Sequence, residues 1–501
     1  MTDREPLVEI NTNQVYQIPD TSINVPVINV TNESSSIPTE VTTRSNAVPK
    51  LLYLDGLRGI LCLIVVFSHC LLMGKTTHDE SFSIFYRPWM HHSPLRLLVA
   101  GEFAVAGFFV LSGCVLVRRY FEHFDDNSIL FSSLIRRFPR LFIPSTIALL
   151  FYFAILHFRP FYGFNICHEI GEGSVNAEKI HIGYVLLNTF GQYFWMPALY
   201  TIQWTMQIEF IGSIVIYLLA FLITRSFIYR YRILSYVFLI LILPIVWLAT
   251  HGSVPRAVQY IQPFIFGLLL SDLDASGYLN FYHSIKLHWS ILINLILILL
   301  TIYFGSYPVF NTDVVDGKRT LWSPFGWMFG WFWISFAGFC LILLSILSKK
   351  FQYFLSTKII HFLGKISFGI YLIHYLILCI IDTSFVQWTA PHIGRDLAVI
   401  LGLIIFALPI IFLLSYGFYL FIDVPAVQIA DWLYFIICNR CLKLTKRPRT
   451  IKRHVWIILL ILFFISIIIS SIPSLQVNQR CDNDSWKNRT LNISIYNHLL
   501  M

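Results

Sequence analysis

An arginine and a histidine share one face of the first long apolar stretch of the sequence, residues 54–71, which read LDGLRGILCLIVVFSHCL. Arg58 and His69 are 11 residues apart, so on an α-helix they are separated by three turns plus about 20° and point the same way. The same separation is a rise of ~16 Å, which puts the arginine at a membrane surface and the histidine near the middle of a hydrocarbon layer ~30 Å thick. A snorkelling arginine and a histidine bonded to a neighbouring helix are the ordinary alternatives. A titratable ring at that depth is costly unless it faces a cavity, and this favours a functional imidazole.

Two further groups could take part in the same chemistry. Ser112 and Gly113 lie late in the second apolar run, where small residues allow either a neighbouring helix or a ligand to approach the backbone. Arg137 and Arg140 are neighbours on one helix face ahead of the third run, and paired guanidinium groups are suited to bidentate phosphate recognition. Anchoring at the membrane surface is the alternative for this pair.

Polar residues also occur in two later apolar runs. Glu209, in the segment WTMQIE, lies one turn into a helix, where a carboxylate needs a partner or water. It is either a neutralised structural residue or one that orients an imidazole or a substrate hydroxyl. Ser367, Tyr371 and His374 are spaced by four and then three residues, which predicts one polar stripe facing a helix contact or a cavity. For Arg118 and Arg119 we prefer simple anchoring to ligand binding.

The composition shows which elements must position these residues. Of the 501 residues, 56% are apolar and 13% are charged, and the mean hydropathy of +0.68 is far outside the range of soluble proteins. The net charge of +9 fits basic cytosolic loops, and no basic run with aromatic platforms suggests a nucleic-acid partner. We therefore predict an all-α, polytopic transmembrane helical bundle with about ten core spans plus one C-terminal span. The eleven predicted spans are 57–74, 100–117, 141–158, 204–224, 233–250, 256–271, 288–305, 325–347, 359–381, 396–421 and 455–473, with 184–200 re-entrant or interfacial.

The orientation follows from the distribution of lysine and arginine. With the N-terminus in the cytosol, the cytosolic loops hold 19 of these residues and the opposite loops hold 9, as the positive-inside rule requires. An odd number of spans then puts the C-terminal tail in the lumen or outside the cell, and this tail carries three glycosylation acceptors, Asn483, Asn488 and Asn492. The same topology puts Cys167 and Cys481 on the oxidising side, where they form either a disulfide or two free thiols.

Taken together, the motifs resemble those of the acyltransferase-3 family of integral membrane acyltransferases. The similarity runs over about residues 49–427 and includes LDGLRG with Arg-x10-His, FFVLSG, RFPR before a proline, WTMQIE and SFGIYLIH. Two positions depart from the family pattern. Ala106 replaces an acidic residue, and Asp423 stands where many members have glutamate.

The resemblance implies transfer of an acyl group, usually acetyl, from cytosolic acyl-CoA to a hydroxyl of a carbohydrate, lipid or small-molecule acceptor. Its motifs imply His69 as the catalytic histidine and Glu209 as the glutamate of the central motif. The residues expected on the acyl-CoA side are Arg58, Arg137, Arg140, Ser112, Gly113, Ser367 and Tyr371. Direct transfer and a transient acyl-histidine are both compatible with the sequence.

A membrane transporter or lipid-handling protein without bond-making chemistry is the alternative function, but the two halves of the chain show no internal repeat. The expected partners are acyl-CoA, the hydroxyl-bearing acceptor and membrane lipid, without metal or nucleic acid, in the secretory pathway or the plasma membrane. The predicted organisation is a disordered cytosolic tail (1–49), the acyltransferase domain (50–427), a basic cytosolic linker (428–454), an extra transmembrane helix (455–473) and a lumenal tail (474–501).

Overall fold

The computed structural model describes residues 52–70, 93–123, 128–158, 182–194, 198–225, 227–249, 257–307, 314–315, 318–319 and 330–442. The α-helices are α1 (Leu52–Cys70), α2 (Gly101–Glu122), α3 (Ser128–Phe158), α4 (Ile182–Gly191), α5 (Trp204–Arg225), α6 (Arg232–Ala249), α7 (Ala257–Ala275), α8 (Leu287–Gly305), α9 (Gly330–Leu347), α10 (Lys349–Leu355), α11 (Lys358–Ile381), α12 (Gln387–Ile393), α13 (Arg395–Leu401), α14 (Leu408–Phe418) and α15 (Val424–Leu442). Two short strands, β1 (Val314–Val315) and β2 (Lys318–Arg319), pair antiparallel. Turns of 3₁₀-helix occur at Pro94–Val99, Thr201–Gln203, Phe227–Tyr231 and Tyr278–His283, and π-helical segments at Asp382–Val386, Gly402–Ala407 and Tyr419–Asp423.

The predicted all-α membrane bundle is confirmed. Nine helical stretches of the described residues are long and apolar enough to cross a membrane. Helix α7 has similar length but carries polar groups, which are satisfied inside the bundle. Gln262 donates to the Ile240 carbonyl on α6 at 2.8 Å, and Asp272 accepts from Arg232 at 2.7 Å and from Tyr236 at 3.1 Å. Such satisfaction is what a polar group at membrane depth requires.

Two elements differ from the predicted boundaries. Helix α3 begins at Ser128, well before the predicted start at residue 141. Pro139 and Pro144 both lie inside this one continuous helix. The stretch 184–200, predicted as re-entrant or interfacial, begins within α4, and the 3₁₀ turn Thr201–Gln203 follows it directly before α5. Residues 428–442, predicted as the start of a linker, belong to α15, which packs on α3. Its Asp431 pairs with Arg136 of α3 at 3.1 Å.

The core is formed by helices that pack on one another on several sides. Helix α2 packs against α1, α7 and α9, and α1 packs against α11. In contrast, α6 and α8 expose large apolar side chains, as expected for helices that face lipid. Their exposed residues include Leu234, Phe238, Leu287, Trp289, Ile291 and Leu299.

Several predictions concern residues outside the described part of the chain. These are the N-terminal tail, the extra helix at 455–473, most of the loop 159–183, the glycosylation acceptors of the C-terminal tail, and Cys167 with Cys481. Within the described part, Cys62, Cys70, Cys114 and Cys340 are free thiols, and no group of three or more potential metal ligands occurs.

Candidate active site

The first and eleventh helices run side by side in the same direction, and glycines allow this close approach. A Cβ on Gly364 of α11 would meet the carbonyl oxygen of Asp55, and one on Gly59 of α1 would meet the backbone nitrogen of Gly364. Further along the pair, the Cys62 thiol donates to the carbonyl of Ser367 at 3.2 Å. These contacts advance together along both helices, so the polar stripe of α11 runs alongside α1.

The two helices bring His69 and His374 together. Their ring centroids are 5.1 Å apart with the planes tilted by 46°, and the edge of Tyr375 contacts His69 at a centroid distance of 5.2 Å. His374 is fully buried, whereas His69 is partly exposed. The sequence predicts His374 as the end of a polar stripe but gives it no role, and its proximity to His69 is visible only in three dimensions.

The hydrogen bonds of His374 determine which ring nitrogen carries the proton. Its Nδ1 lies 3.0 Å from the carbonyl oxygen of Ile370 and 2.8 Å from that of Tyr371. Carbonyl oxygens only accept, so Nδ1 must donate, and in a neutral ring Nε2 is then the acceptor. Among the described residues, this buried Nε2 has no hydrogen-bond partner. It is a proton acceptor held next to His69.

A second cluster joins three helices. The Ser112 hydroxyl of α2 donates to the Glu209 carboxylate of α5, with distances of 2.9 and 3.0 Å to its two oxygens. Arg137 of α3 donates from Nη2 to Oε2 of the same carboxylate at 2.5 Å. The side chains of Arg137 and Glu209 are only 15% and 12% exposed. The partners that a carboxylate needs in an apolar helix are therefore Ser112 and Arg137.

Arg58 and Arg140 lie close to this cluster. Arg58 pairs with Asp55, one turn earlier on α1, at 2.9 Å between Nη1 and Oδ1. Arg140 is exposed, and its guanidinium lies within electrostatic range of Arg58, Arg137, Asp55 and Asp423. The structure thus brings together the three arginines that the sequence predicts for phosphate binding, from α1 and α3.

Tyr371 and Thr205 connect the arginine cluster to the histidine pair. The Tyr371 hydroxyl lies 2.6 Å from Thr205 Oγ1 and donates to the Ile202 carbonyl at 2.9 Å. Thr205 precedes Glu209 by four residues on α5, and Tyr371 precedes His374 by three on α11, so each pair shares a helix face. We call the series Arg137, Glu209, Ser112, Thr205, Tyr371, His374 and His69 the polar column.

Two predicted residues lie beside the column. The hydroxyl of Ser367 donates to the Gly364 carbonyl of its own helix at 2.8 Å, at the interface of α11 with α1. Gly113 faces α7, where an added Cβ would meet the Phe264 carbonyl oxygen. Ser112 and Gly113 therefore face different helices, with Ser112 directed to Glu209 of α5.

The structure corrects the prediction that Arg118 is a simple anchor at the membrane surface. Arg118 is buried and pairs with Asp274 of α7 at 2.5 Å and with Glu122 at 3.4 Å. Because Asp274 lies on a helix whose own predicted span ended at residue 271, the sequence alone did not indicate this partner. Arg118 joins α2 to α7.

Comparison with known proteins identifies the family of the chain. A family model described as an acyltransferase domain matches residues 51–420. The chain is also similar to the O-acetyltransferase PaAT-1 of Phomopsis amygdali, with 26% identity over 453 residues, which are 79% of this chain and 86% of that protein. No solved structure matches the chain. This protein, an integral membrane O-acyltransferase, belongs to the acyltransferase-3 family.

Proposed function

We propose that the protein transfers an acetyl group from acetyl-CoA at the cytosolic face to a hydroxyl of a carbohydrate, lipid or small-molecule acceptor. The acetyl group is suggested by the name of the relative, an O-acetyltransferase. The acyl-CoA donor is suggested by the three arginines that converge at one end of the polar column. One observation carries the proposal: a pair of histidines lies at the other end of the same column.

The donor binds with its phosphates on Arg58, Arg137 and Arg140. Guanidinium groups present parallel N–H donors that match phosphate oxygens, and they remain charged at any physiological pH. Arg137 is paired with Glu209, whereas the Arg140 side chain is exposed. Arg58 and His69 are 11 residues apart on α1, a rise of ~16 Å, so the pantetheine arm of a donor held at the arginines extends along the polar column towards the histidines.

At the histidines the acceptor hydroxyl is activated. His69 takes the hydroxyl proton as the oxygen attacks the thioester carbonyl, and the carbon–sulfur bond then breaks. The CoA sulfur leaves with the proton from the imidazolium, so that an ester and free CoA are formed. In the alternative route a His69 nitrogen attacks the thioester, the carbon–sulfur bond breaks and CoA leaves as the thiolate. The acceptor hydroxyl then attacks the acyl-imidazolium, which releases neutral His69, and the hydroxyl proton passes to the thiolate, so that the products are again an ester and free CoA.

His374 contributes a second acceptor nitrogen to this step. Its Nδ1–H is fixed by two backbone carbonyls, so its Nε2 is directed away from them and is free to accept. We assign to His374 the role of stabilising the protonated His69, either directly or through the acceptor hydroxyl. This is the role that an oriented hydrogen-bond acceptor plays beside a general base.

The experiment uses membranes from cells that express the protein, supplied with acetyl-CoA labelled in the acetyl group. Alkali-labile label in sugars and lipids measures ester formation. His69→Ala is expected to abolish this label, and His374→Ala to lower it by about 10²-fold or more, within the usual contribution of general base catalysis. His288→Ala is the control, because His288 is exposed at the start of α8, a helix that packs on α9.

Unchanged labelling by an expressed and inserted His69→Ala protein would rule out the assigned role of this histidine. A label retained on the wild-type protein after denaturation, and absent from His69→Ala, would identify the acyl-histidine route.

A further inference from the structure

The charges of the arginine cluster are partly balanced within the protein. Arg58 pairs with Asp55 at 2.9 Å and Arg137 with Glu209 at 2.5 Å. For Arg140, Asp423 makes the largest favourable electrostatic contribution. Each arginine thus has a carboxylate nearby, which positions the guanidinium group and reduces the net positive charge of the cluster.

Lys365 supplies a positive charge that the cluster does not balance. It follows Gly364, whose backbone packs directly on Asp55, and Lys365 and Asp55 both lie within electrostatic range of His361. Its side chain is exposed, and within the described part of the chain no carboxylate lies at ion-pair distance from it. His361 precedes Lys365 by one helical turn and lies within electrostatic range of both Lys365 and Asp55.

This arrangement matches the distribution of phosphate in CoA. The molecule carries a diphosphate next to the pantetheine arm and a separate monophosphate on the 3′-oxygen of its ribose. The arginines lie on α1 and α3, whereas Lys365 and His361 lie one helical turn apart on α11. A lysine ammonium is a compact point charge that suits a phosphate with a full double charge.

We propose that Lys365, with His361, binds the 3′-phosphate of the donor and makes the enzyme distinguish acetyl-CoA from 3′-dephospho-acetyl-CoA. The inference rests on the proposed acyl-CoA donor. Anionic lipid head groups offer the same chemistry as the 3′-phosphate at a membrane surface. A comparison of the two donors separates these sources, because a lipid bound at Lys365 affects both donors equally.

The test measures acetyl transfer at increasing concentrations of each donor, with wild-type protein, Lys365→Met and Lys365→Arg. Wild-type protein is expected to show an apparent KM about tenfold lower for acetyl-CoA than for the dephospho donor, in line with one charge-assisted hydrogen bond near the surface. Lys365→Met is expected to raise the KM for acetyl-CoA to that of the dephospho donor while kcat and the dephospho KM stay unchanged. Lys365→Arg retains the preference.

Lys286→Met provides the matched control, because Lys286 is also an exposed lysine but precedes α8, which packs on α9 and not on α1. Equal changes for both donors in Lys365→Met, or a wild-type enzyme without preference, would overturn the proposal while leaving the acyl-CoA donor intact. If neither donor supports transfer by the wild-type enzyme, the proposed function fails and this inference fails with it.

Discussion

Glu209 shows how a single carboxylate is stabilised inside an apolar bundle. Its two oxygens accept from Ser112 and Arg137, which lie on two other helices. The carboxylate therefore accepts hydrogen bonds from protein groups on both of its oxygens. Among the described residues, its hydrogen bonds connect it to the arginine cluster and not to His69. This geometry favours a role for Glu209 in positioning Arg137, in addition to any contact with substrate.

The pairing of Arg137 with Glu209 predicts strong non-additivity. Glu209→Gln leaves a buried guanidinium without its counter-charge, and Arg137→Gln leaves the carboxylate unpaired. Each single change is expected to destabilise the protein by roughly 3–5 kcal/mol. The double variant removes both charges and is expected to recover at least ~2 kcal/mol of the summed loss. Thermal unfolding of the four detergent-solubilised proteins measures the coupling, and simple additivity would contradict the pair as an energetic unit.

Single residues were easier to predict than their partners. Arg58 and His69 could be found because they share one helix face, and Glu209 because a carboxylate is conspicuous in an apolar run. The contacts of Glu209 with Ser112 and of His69 with His374 join segments separated by 97 and 305 residues. One sequence contains no information on such distances, so the partners had to come from the fold.

At the scale of helices, small residues determine which elements are in contact. Gly113 of α2 and Gly267 of α7 lie at one crossing, where an added Cβ on Gly267 would meet the Val110 carbonyl oxygen and the Cys114 backbone nitrogen. The crossing lets α7 approach α2 closely, and α2 in turn presents Ser112 to Glu209. Helix packing at Gly113 thus supports the polar column from the opposite side.

The close crossing predicts a large effect from a single methyl group. In Gly267→Ala the new Cβ overlaps backbone atoms that cannot rotate away, so α2 and α7 must separate. We expect a loss of stability of about 1–3 kcal/mol, with lower acyl transfer because Ser112 shifts relative to Glu209. Gly417→Ala in α14 is the control. An added Cβ there meets no described atom within 4 Å, and alanine is the better helix former by up to ~1 kcal/mol.

Thermal unfolding and labelled-acetyl transfer of both variants provide the measurement. A Gly267→Ala protein as stable as Gly417→Ala would contradict this prediction, because the crossing would then accommodate a methyl group for which the structure has no room.

Helices could be predicted from hydropathy, but their ends could not. The apolar runs correctly located the membrane-crossing helices, including α1, α5 and α9. The start of α3 was missed because two prolines and three nearby arginines are typical of a helix boundary, whereas here the polar side chains are satisfied by Glu209 and Asp431 of other helices. Tertiary partners thus extend a helix through residues that local rules would exclude.

For the whole molecule, the column requires a defined orientation in the membrane. Helices α1 and α11 run parallel and begin on the same side, so Arg58 and Lys365 lie at one face of the bundle and the histidines lie deeper. The proposed cytosolic donor requires this face to be the cytosolic one. The charge distribution of the loops favours the same orientation.

The orientation predicts that the C-terminal tail is glycosylated. With a cytosolic N-terminus and eleven spans, Asn483, Asn488 and Asn492 reach the lumen, where N-linked sugars are added. Protein from a eukaryotic host is therefore expected to lose mass on treatment with an endoglycosidase, and the variant with all three asparagines changed to glutamine is expected to show no such loss. Asn127→Gln is the control, because Asn127 begins the sequon-like Asn-Ser-Ile, which lacks the required third residue. The prediction is contradicted if the tail remains unglycosylated and a thiol reagent labels Cys481 from the cytosolic side. The number of spans would then be even. In that case the loop charges alone would have to support the access of acyl-CoA to the arginine face.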